Sequence, residues 1–565
     1  MPDVADKRTR LHDSLHCSPG PIAAAIDNAE AKAQRAAAAL WRRDPAGWSA
    51  DAGTEQKIAN RLGWMTSPRL MADSIPRLRA FAENVRRDGI SNVVLLGMGG
   101  SSLAPEVIRA VIGVASGWPA FHMLDSTDPA AVLAVNPPPE RTLYILASKS
   151  GGTIEPNSLA AHYRQRLIES GVTKWSGHFV AITDEGTDLA RRAQTEGFRD
   201  LFINPSDIGG RYSALSFFGL VPAALMGVDL SALVGWGLAM LDASDPNAGA
   251  ATANPAVMLG LTIGAGARSG RDKLTLVVPQ RLEAFGLWVE QLIAESTGKN
   301  GVGVVPIAGE PIGDTSVYGD DRLFVQVRGE GRHVQMPDAP VVDIDWPEPA
   351  ALGAEFVRWE IATAIAGALL DINPFDEPNV QQAKDATKKL LGEFQRSGQL
   401  TQTAPDRTLD GAVALTISDA ARTALQGRGA DALLSTVRHG DYVALLAYLG
   451  PDPALARELT ALRRSIRDRT RAATMFGYGP RYLHSTGQLH KGGANTGVFI
   501  LITATPQHDV AIPGEPFSFA TLELAQALGD FASLGATGRR ALHAHLSSPD
   551  PSLVRRLADA LLQHA

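Results

Sequence analysis

The sequence predicts an α/β protein with two doubly wound parallel-sheet domains and flanking helices, and three observations carry that prediction. From about Asn92 onward, short β-rich runs alternate with longer helical stretches. Those runs are continuously apolar rather than alternating, as strands buried on both faces of a parallel sheet are. Two such series occur in a chain of 565 residues, which is enough for three or four units of ordinary domain size.

Residues 1–84 read as a helical segment, in which the Ala-rich stretch 22–41 carries apolar positions at helical spacing. The first α/β domain is expected over 85–230, with strands at 92–96, 121–124, 142–147, 178–183 and 201–203. A second is expected over 231–400, with strands at 274–278, 302–307 and 323–327 and a strongly helical stretch at 353–395. A Pro/Thr/Gly-rich loop near 401–411 introduces a C-terminal α/β region, 401–565. Its strands at 442–449 and 498–503 are expected to complete the second sheet.

Composition excludes several classes. Hydrophobic residues make up 45% and charged residues 20%, the balance of a globular chain rather than a disordered one. A net charge of −7 without long single-sign blocks offers no nucleic-acid surface. The one cysteine, Cys17, cannot form an internal disulfide framework or a thiolate metal cage. No apolar run reaches the roughly 20 residues that span a bilayer. The polar N-terminus lacks the apolar core of a secretory signal. A cytoplasmic location with no membrane partner is the expectation.

Six clusters carry chemistry. The first predicted strand runs into Gly97-Met98-Gly99-Gly100-Ser101-Ser102, where glycines let a ligand approach backbone N–H groups at a helix start. A tight strand-to-helix turn without a ligand reads the same way, and the spacing is not that of a nucleotide loop. The third strand ends in Ser148-Lys149-Ser150-Gly151-Gly152-Thr153, which packs hydroxyls and a lysine beside a positive helix end. A phosphate monoester needs these groups, whereas simple N-capping needs one hydroxyl only. Arg211, in Gly209-Gly210-Arg211, is either a reach into the same crevice or a solvated surface charge. Glu295 ends an apolar helical run at Glu295-Ser296-Thr297-Gly298-Lys299, a setting for a general base and also for an ordinary helix glutamate. Finally, Phe375-Asp376-Glu377-Pro378 leads into a helix carrying Lys384, and His484-Ser485-Thr486-Gly487-Gln488 lies near the C-terminus. His484 and His490 fit no zinc spacing, so a metal role is not expected; a proton shuttle, a sugar contact and a packing histidine all remain open.

Taken together and in this order, the motifs resemble those of the phosphoglucose isomerase family, over most of residues 85–390. The layout is similar to the isomerase half of transaldolase/phosphoglucose-isomerase fusion proteins, and no transaldolase activity is expected. The resemblance implies two sugar-isomerase (SIS) domains and reversible isomerisation of glucose 6-phosphate and fructose 6-phosphate without cofactor or metal. It implies a sugar-phosphate site of Gly99, Gly100, Ser101, Ser148, Lys149, Ser150, Thr153, Gly210 and Glu377. It further implies Glu295 as base, Arg211 as stabiliser of an enediolate, and Lys384 and His484 in ring opening. The pattern departs at two points: Glu377 replaces the usual glutamine, and the histidine motif follows Lys384 instead of preceding it. Where that motif normally stands, the chain reads Tyr318-Gly319-Asp320-Asp321-Arg322. The competing readings are a non-catalytic sugar-phosphate sensor and an isomerase of broader specificity that includes mannose 6-phosphate. By analogy with the family, a homodimer is expected.

Overall fold

Apolar runs become strands close to where the sequence puts them. The computed structural model describes residues 4–247, 249–328, 336 and 338–564. The chain forms two units. The first holds the chain up to Asp125 with Pro137–Thr297 and Leu323–Asp376; the second holds Ser126–Asn136, Gly298–Arg322 and the chain from Glu377.

The first unit contains a five-stranded sheet in the order Ala120–Leu124, Asn92–Gly97, Thr142–Ala147, Phe179–Asp184, Asp200–Asn204. All its pairings are parallel. Thr142–Ala147 is buried along its whole length, which is why its sequence reads as an unbroken apolar run. Helix signals frame the strands. Thr187 caps Asp188–Glu196 by accepting from Ala190 N–H, and Gly197 ends that helix in the left-handed conformation at φ +69. After Asn92–Gly97 the chain adds its next strand on one side, then crosses to the other side with Thr142–Ala147. The crevice outside the carboxyl ends of these two strands is therefore the topological switch point, where open α/β sheets hold ligands.

The same unit orders Leu15–Ser18, Val341–Asp345, Arg322–Arg328 and Lys273–Val277 in another sheet. Leu15–Ser18 is antiparallel to Val341–Asp345, which runs parallel to Arg322–Arg328. The predicted helical stretch 353–395 is two helices, Leu352–Leu369 and Val380–Ser397. Pro374 and Pro378 lie between them, where a ring without an N–H cannot continue a helix. Leu352–Leu369 is buried on every side, so it shows no amphipathic stripe. Its one buried guanidinium is paired: Arg358 donates to Glu355 at 3.0 Å and to Ser14 Oγ at 2.6 Å.

The C-terminal strands differ from expectation. Tyr442–Tyr448 and Gly497–Ala504 do not complete the second sheet but form a six-stranded sheet of their own in the second unit. Its order is Arg407–Leu409, Val413–Ile417, Arg540–Leu546, Gly497–Ala504, Tyr442–Tyr448, Ala473–Tyr478. The last four strands are parallel, and the first two join antiparallel at the edge. The physical reason is a closed core: Leu415, Leu445, Ile500, Leu542 and Leu557 belong to one buried cluster drawn wholly from residues 409–562. A region that buries its own apolar surface needs no other sheet to finish it. Among the described residues, no helix is long and apolar enough to cross a membrane.

Candidate active site

The switch point of the first sheet is built by two neighbouring turns. Gly97 pairs with Ala147, so the chain leaves both strands side by side. On one side Gly99 takes φ +54, a left-handed conformation that favours glycine. A Cβ on Gly100 would stand 2.1 Å from the carbonyl oxygen of Gly210, so only glycine lets these two turns touch. Ser101 is buried, and Ser213 Oγ donates to Gly100 O at 3.4 Å.

On the other side, Ser148 Oγ and Thr153 Oγ1 lie 2.9 Å apart. Thr153 occupies the N-cap of helix Ile154–Glu169, yet its side chain makes no capping bond. The capping explanation for Thr153 is thus removed, and its hydroxyl instead points to Ser148 at the strand end. Ser150 Oγ accepts from Gly152 N–H at 3.4 Å. Lys149 turns away from these hydroxyls to pair with Asp184 and donate to Ser206 O at 3.1 Å. Burial raises the Asp184 pKa above the ordinary carboxylate value, and the Lys149 ammonium works in the opposite direction.

Arg211 is no surface charge; it is 2% exposed. Its Nη1 lies 3.2 Å from Glu295 Oε1, and its Nε donates to Ser296 Oγ at 2.7 Å. Its Nη2 donates to the carbonyls of Pro374 at 2.8 Å and Asp376 at 2.9 Å. The planar guanidinium is thereby held on three edges, with its charge directed at the Glu295 carboxylate. Gln291, one helical turn earlier on Glu283–Thr297, donates to Glu295 Oε2 at 3.2 Å. Behind the pair, Tyr212 stacks on Trp64 with ring centroids 5.2 Å apart. Burial raises the Tyr212 pKa well above its ordinary value, so the ring stays a neutral wall. The unit as built presents a fixed carboxylate–guanidinium pair and a separate hydroxyl-lined turn.

The remaining predicted residues lie in the second unit. Lys384 is exposed on helix Val380–Ser397, and Glu377 is exposed ahead of it. His484 is half-buried at the end of the 3-10 turn Arg481–His484, just before the short helix Gly487–Gly492. Gln488 ties this region together. It accepts from Asn379 N–H at 2.8 Å and donates to Asn379 Oδ1 at 2.8 Å and Gly298 O at 2.9 Å. The histidine motif is thus joined both to the start of the Lys384 helix and to the Gly298-Lys299 end of the glutamate motif.

Sequence reasoning passed over Ser296, Gln291, Asp184 and Gln488. Ser296 and Gln488 stand inside the glutamate and histidine motifs, so their signal was present but carried no role. Asp184 had none, because its partner Lys149 is 35 residues away in the chain.

The sequence model of the family described as phosphoglucose isomerase matches residues 72–308. A glucose-6-phosphate isomerase of Rubrobacter xylanophilus is 30% identical over 396 residues, which cover 58% of this chain and 89% of the relative. One from Synechococcus sp. (strain CC9605) is 28% identical over 397 residues, covering 58% of this chain and 73% of the relative. Among solved structures, the hypothetical protein TT0462 from Thermus thermophilus superposes with a TM-score of 0.55 at 24% identity. That superposition covers 66% of this chain and 99% of the other, and it shows the shared fold. With matched relatives spanned over most of their length and the family model on the region that holds Arg211 and Glu295, the chain belongs to the phosphoglucose isomerase family.

Proposed function

We propose that the protein is a glucose-6-phosphate isomerase in which Glu295 carries a proton between C2 and C1 of the open-chain sugar. The observation that carries this reading is the Glu295–Arg211 pair at 3.2 Å, seated on Ser296 and two backbone carbonyls. Aldose–ketose isomerisation needs a base for the C–H beside the carbonyl and a positive group for the enediolate oxygen. A carboxylate and a guanidinium already held in contact supply both without reorganisation. The relatives named for this activity, from Rubrobacter xylanophilus and Synechococcus, support the choice of substrate. The test is direct: the full chain, given glucose 6-phosphate without added metal, should form fructose 6-phosphate. Binding of the substrate without turnover would favour a sensor instead.

In this reading the Ser148–Thr153 turn takes the phosphate, and the remote binding orients the reacting end. Thr153→Ala and Ser148→Ala should each cost about 1.5–3 kcal/mol of binding, the worth of one hydrogen bond to a charged group. Isothermal titration with the sugar phosphate reads it. Two variants that bind like the parent would place the phosphate elsewhere.

Lys384 and His484 handle protons in ring opening, and a second copy of this chain is the partner expected from the family. His484→Ala should slow turnover of cyclic glucose 6-phosphate strongly, yet leave proton exchange from an acyclic substrate analogue nearly intact. Equal loss on both substrates points to general damage, and no loss on either leaves Lys384 alone in that step.

A further inference from the structure

The second unit repeats the topology of the first sheet. Ala473–Tyr478, Tyr442–Tyr448, Gly497–Ala504 and Arg540–Leu546 stand in the same chain order as the first four strands around Gly97 and Ala147. Here too the chain adds a strand on one side and then crosses to the other, so a switch point lies between Tyr448 and Ala504. At that point is a cavity of about 420 Å³. Strand ends supply Tyr448, Thr503, Thr505 and His545 to its wall, and the first turns of helix Phe519–Ala536 supply Thr521 and Glu523. No described residue places a lysine or arginine on that wall.

From this geometry we infer that the second unit holds a separate binding site for an uncharged polyhydroxylated molecule, a free sugar or polyol.

The polar groups fit that class. Glu523 is 8% exposed, lines the cavity, and its Oε1 has no hydrogen-bond partner among the described residues. Burial raises its pKa well above the ordinary carboxylate value, and the Asp128 carboxylate adds to the rise, a direction that favours the protonated form, which can both donate and accept. His545 is held by hydroxyls on both nitrogens, Nδ1 at 2.8 Å from Thr503 Oγ1 and Nε2 at 3.1 Å from Thr505 Oγ1. His543 Nε2 shares Thr503 Oγ1 at 2.8 Å, and burial lowers its pKa to about 4. The wall therefore offers hydroxyl, imidazole and carboxyl groups with no lysine or arginine among them, the chemistry that reads sugar hydroxyls. Phe394, Leu400, Pro506 and Leu524 add apolar surface for the C–H face of a ring.

The same site is unsuited to phosphate. The backbone N–H groups that begin helix Phe519–Ala536 are already taken: Phe519 donates to Val510 O at 2.9 Å, Ala520 to Asp509 Oδ1 at 3.0 Å, and Thr521 to Ser518 Oγ at 3.2 Å. An anion arriving there would meet an aspartate carboxylate and no cation. The helix start at Thr153, with no side-chain cap, contrasts with it.

The test titrates the full chain with maltose, trehalose and myo-inositol as neutral probes, and with inorganic phosphate, by saturation-transfer NMR and calorimetry. At least one neutral probe should bind the parent. Thr505→Val and Glu523→Leu should each weaken that binding about tenfold, the loss of one hydrogen bond, while Glu523→Gln stays within about threefold. Thr153→Ala, in the other unit, should leave it unchanged. Thr505 is exposed, so its variant tests the site even if Glu523→Leu fails to fold. The inference is overturned if no neutral probe binds, or if the binding survives both Thr505→Val and Glu523→Leu. It is equally overturned if Glu523→Gln loses as much as Glu523→Leu, if Thr153→Ala abolishes the binding, or if phosphate alone binds and is lost in Thr505→Val.

Discussion

Glu295→Gln should still fold, less stably because the buried Arg211 charge loses its partner, and should lose isomerisation by about 10²-fold or more, the usual worth of a positioned base. The amide is nearly isosteric, and its oxygen can still accept from Arg211 Nη1, now 3.2 Å from Oε1. What it cannot do is take a proton from carbon. Exchange of the C2 proton of the substrate with solvent deuterium should fall in parallel with turnover. Binding of inorganic phosphate should not change, because Ser148 and Thr153 pair with each other on a separate turn. A variant that keeps more than roughly a tenth of parental turnover would exclude Glu295 as the base. A variant that loses phosphate binding as well would place the effect in the fold rather than in the chemistry.

Arg211 carries the second large effect, this time on stability. Arg211→Met leaves the Glu295 carboxylate, Ser296 Oγ and the carbonyls of Pro374 and Asp376 without that donor inside a buried site. Removing one member of a buried ion pair costs about 3–5 kcal/mol, mostly for the charge left behind. Urea unfolding should show a lower midpoint with an unchanged slope for that transition. Adding Glu295→Gln to Arg211→Met should recover part of the loss, since the stranded charge is then gone. Arg211→Lys keeps a charge but has no planar fork to reach three edges, so it should fold and still lose most turnover. If Arg211→Met unfolds within about 1 kcal/mol of the parent, the four contacts do not hold the native state as the structure indicates.

The motifs were legible because each is local. Gly97–Ser102, Ser148–Thr153 and Glu295–Lys299 are compact runs whose residue types suit a sheet edge or a helix end. The parallel strands were legible because burial on both faces writes an unbroken apolar run, as in Thr142–Ala147. Ala473–Tyr478 and Arg540–Leu546 were missed. Gly477 and Tyr478 dilute the first, and Arg540, His543 and His545 interrupt the second. The histidines fit a buried strand only because Thr503 pairs with both.

The sequence by itself determined the alternation of strand and helix and the chemistry of the turns, though not the break that divides 353–395 into two helices. Those follow from backbone sterics and from short-range hydrogen bonding, which act within a few residues. Only the tertiary structure decided that Arg211 is a buried partner of Glu295, far along the chain, rather than a solvated charge. It alone gave the C-terminal strands a sheet of their own and turned Lys149 toward Asp184. Such outcomes depend on which surfaces close against each other, and on which charge finds a partner once water is excluded. Neither quantity is written in the spacing of residues along the chain.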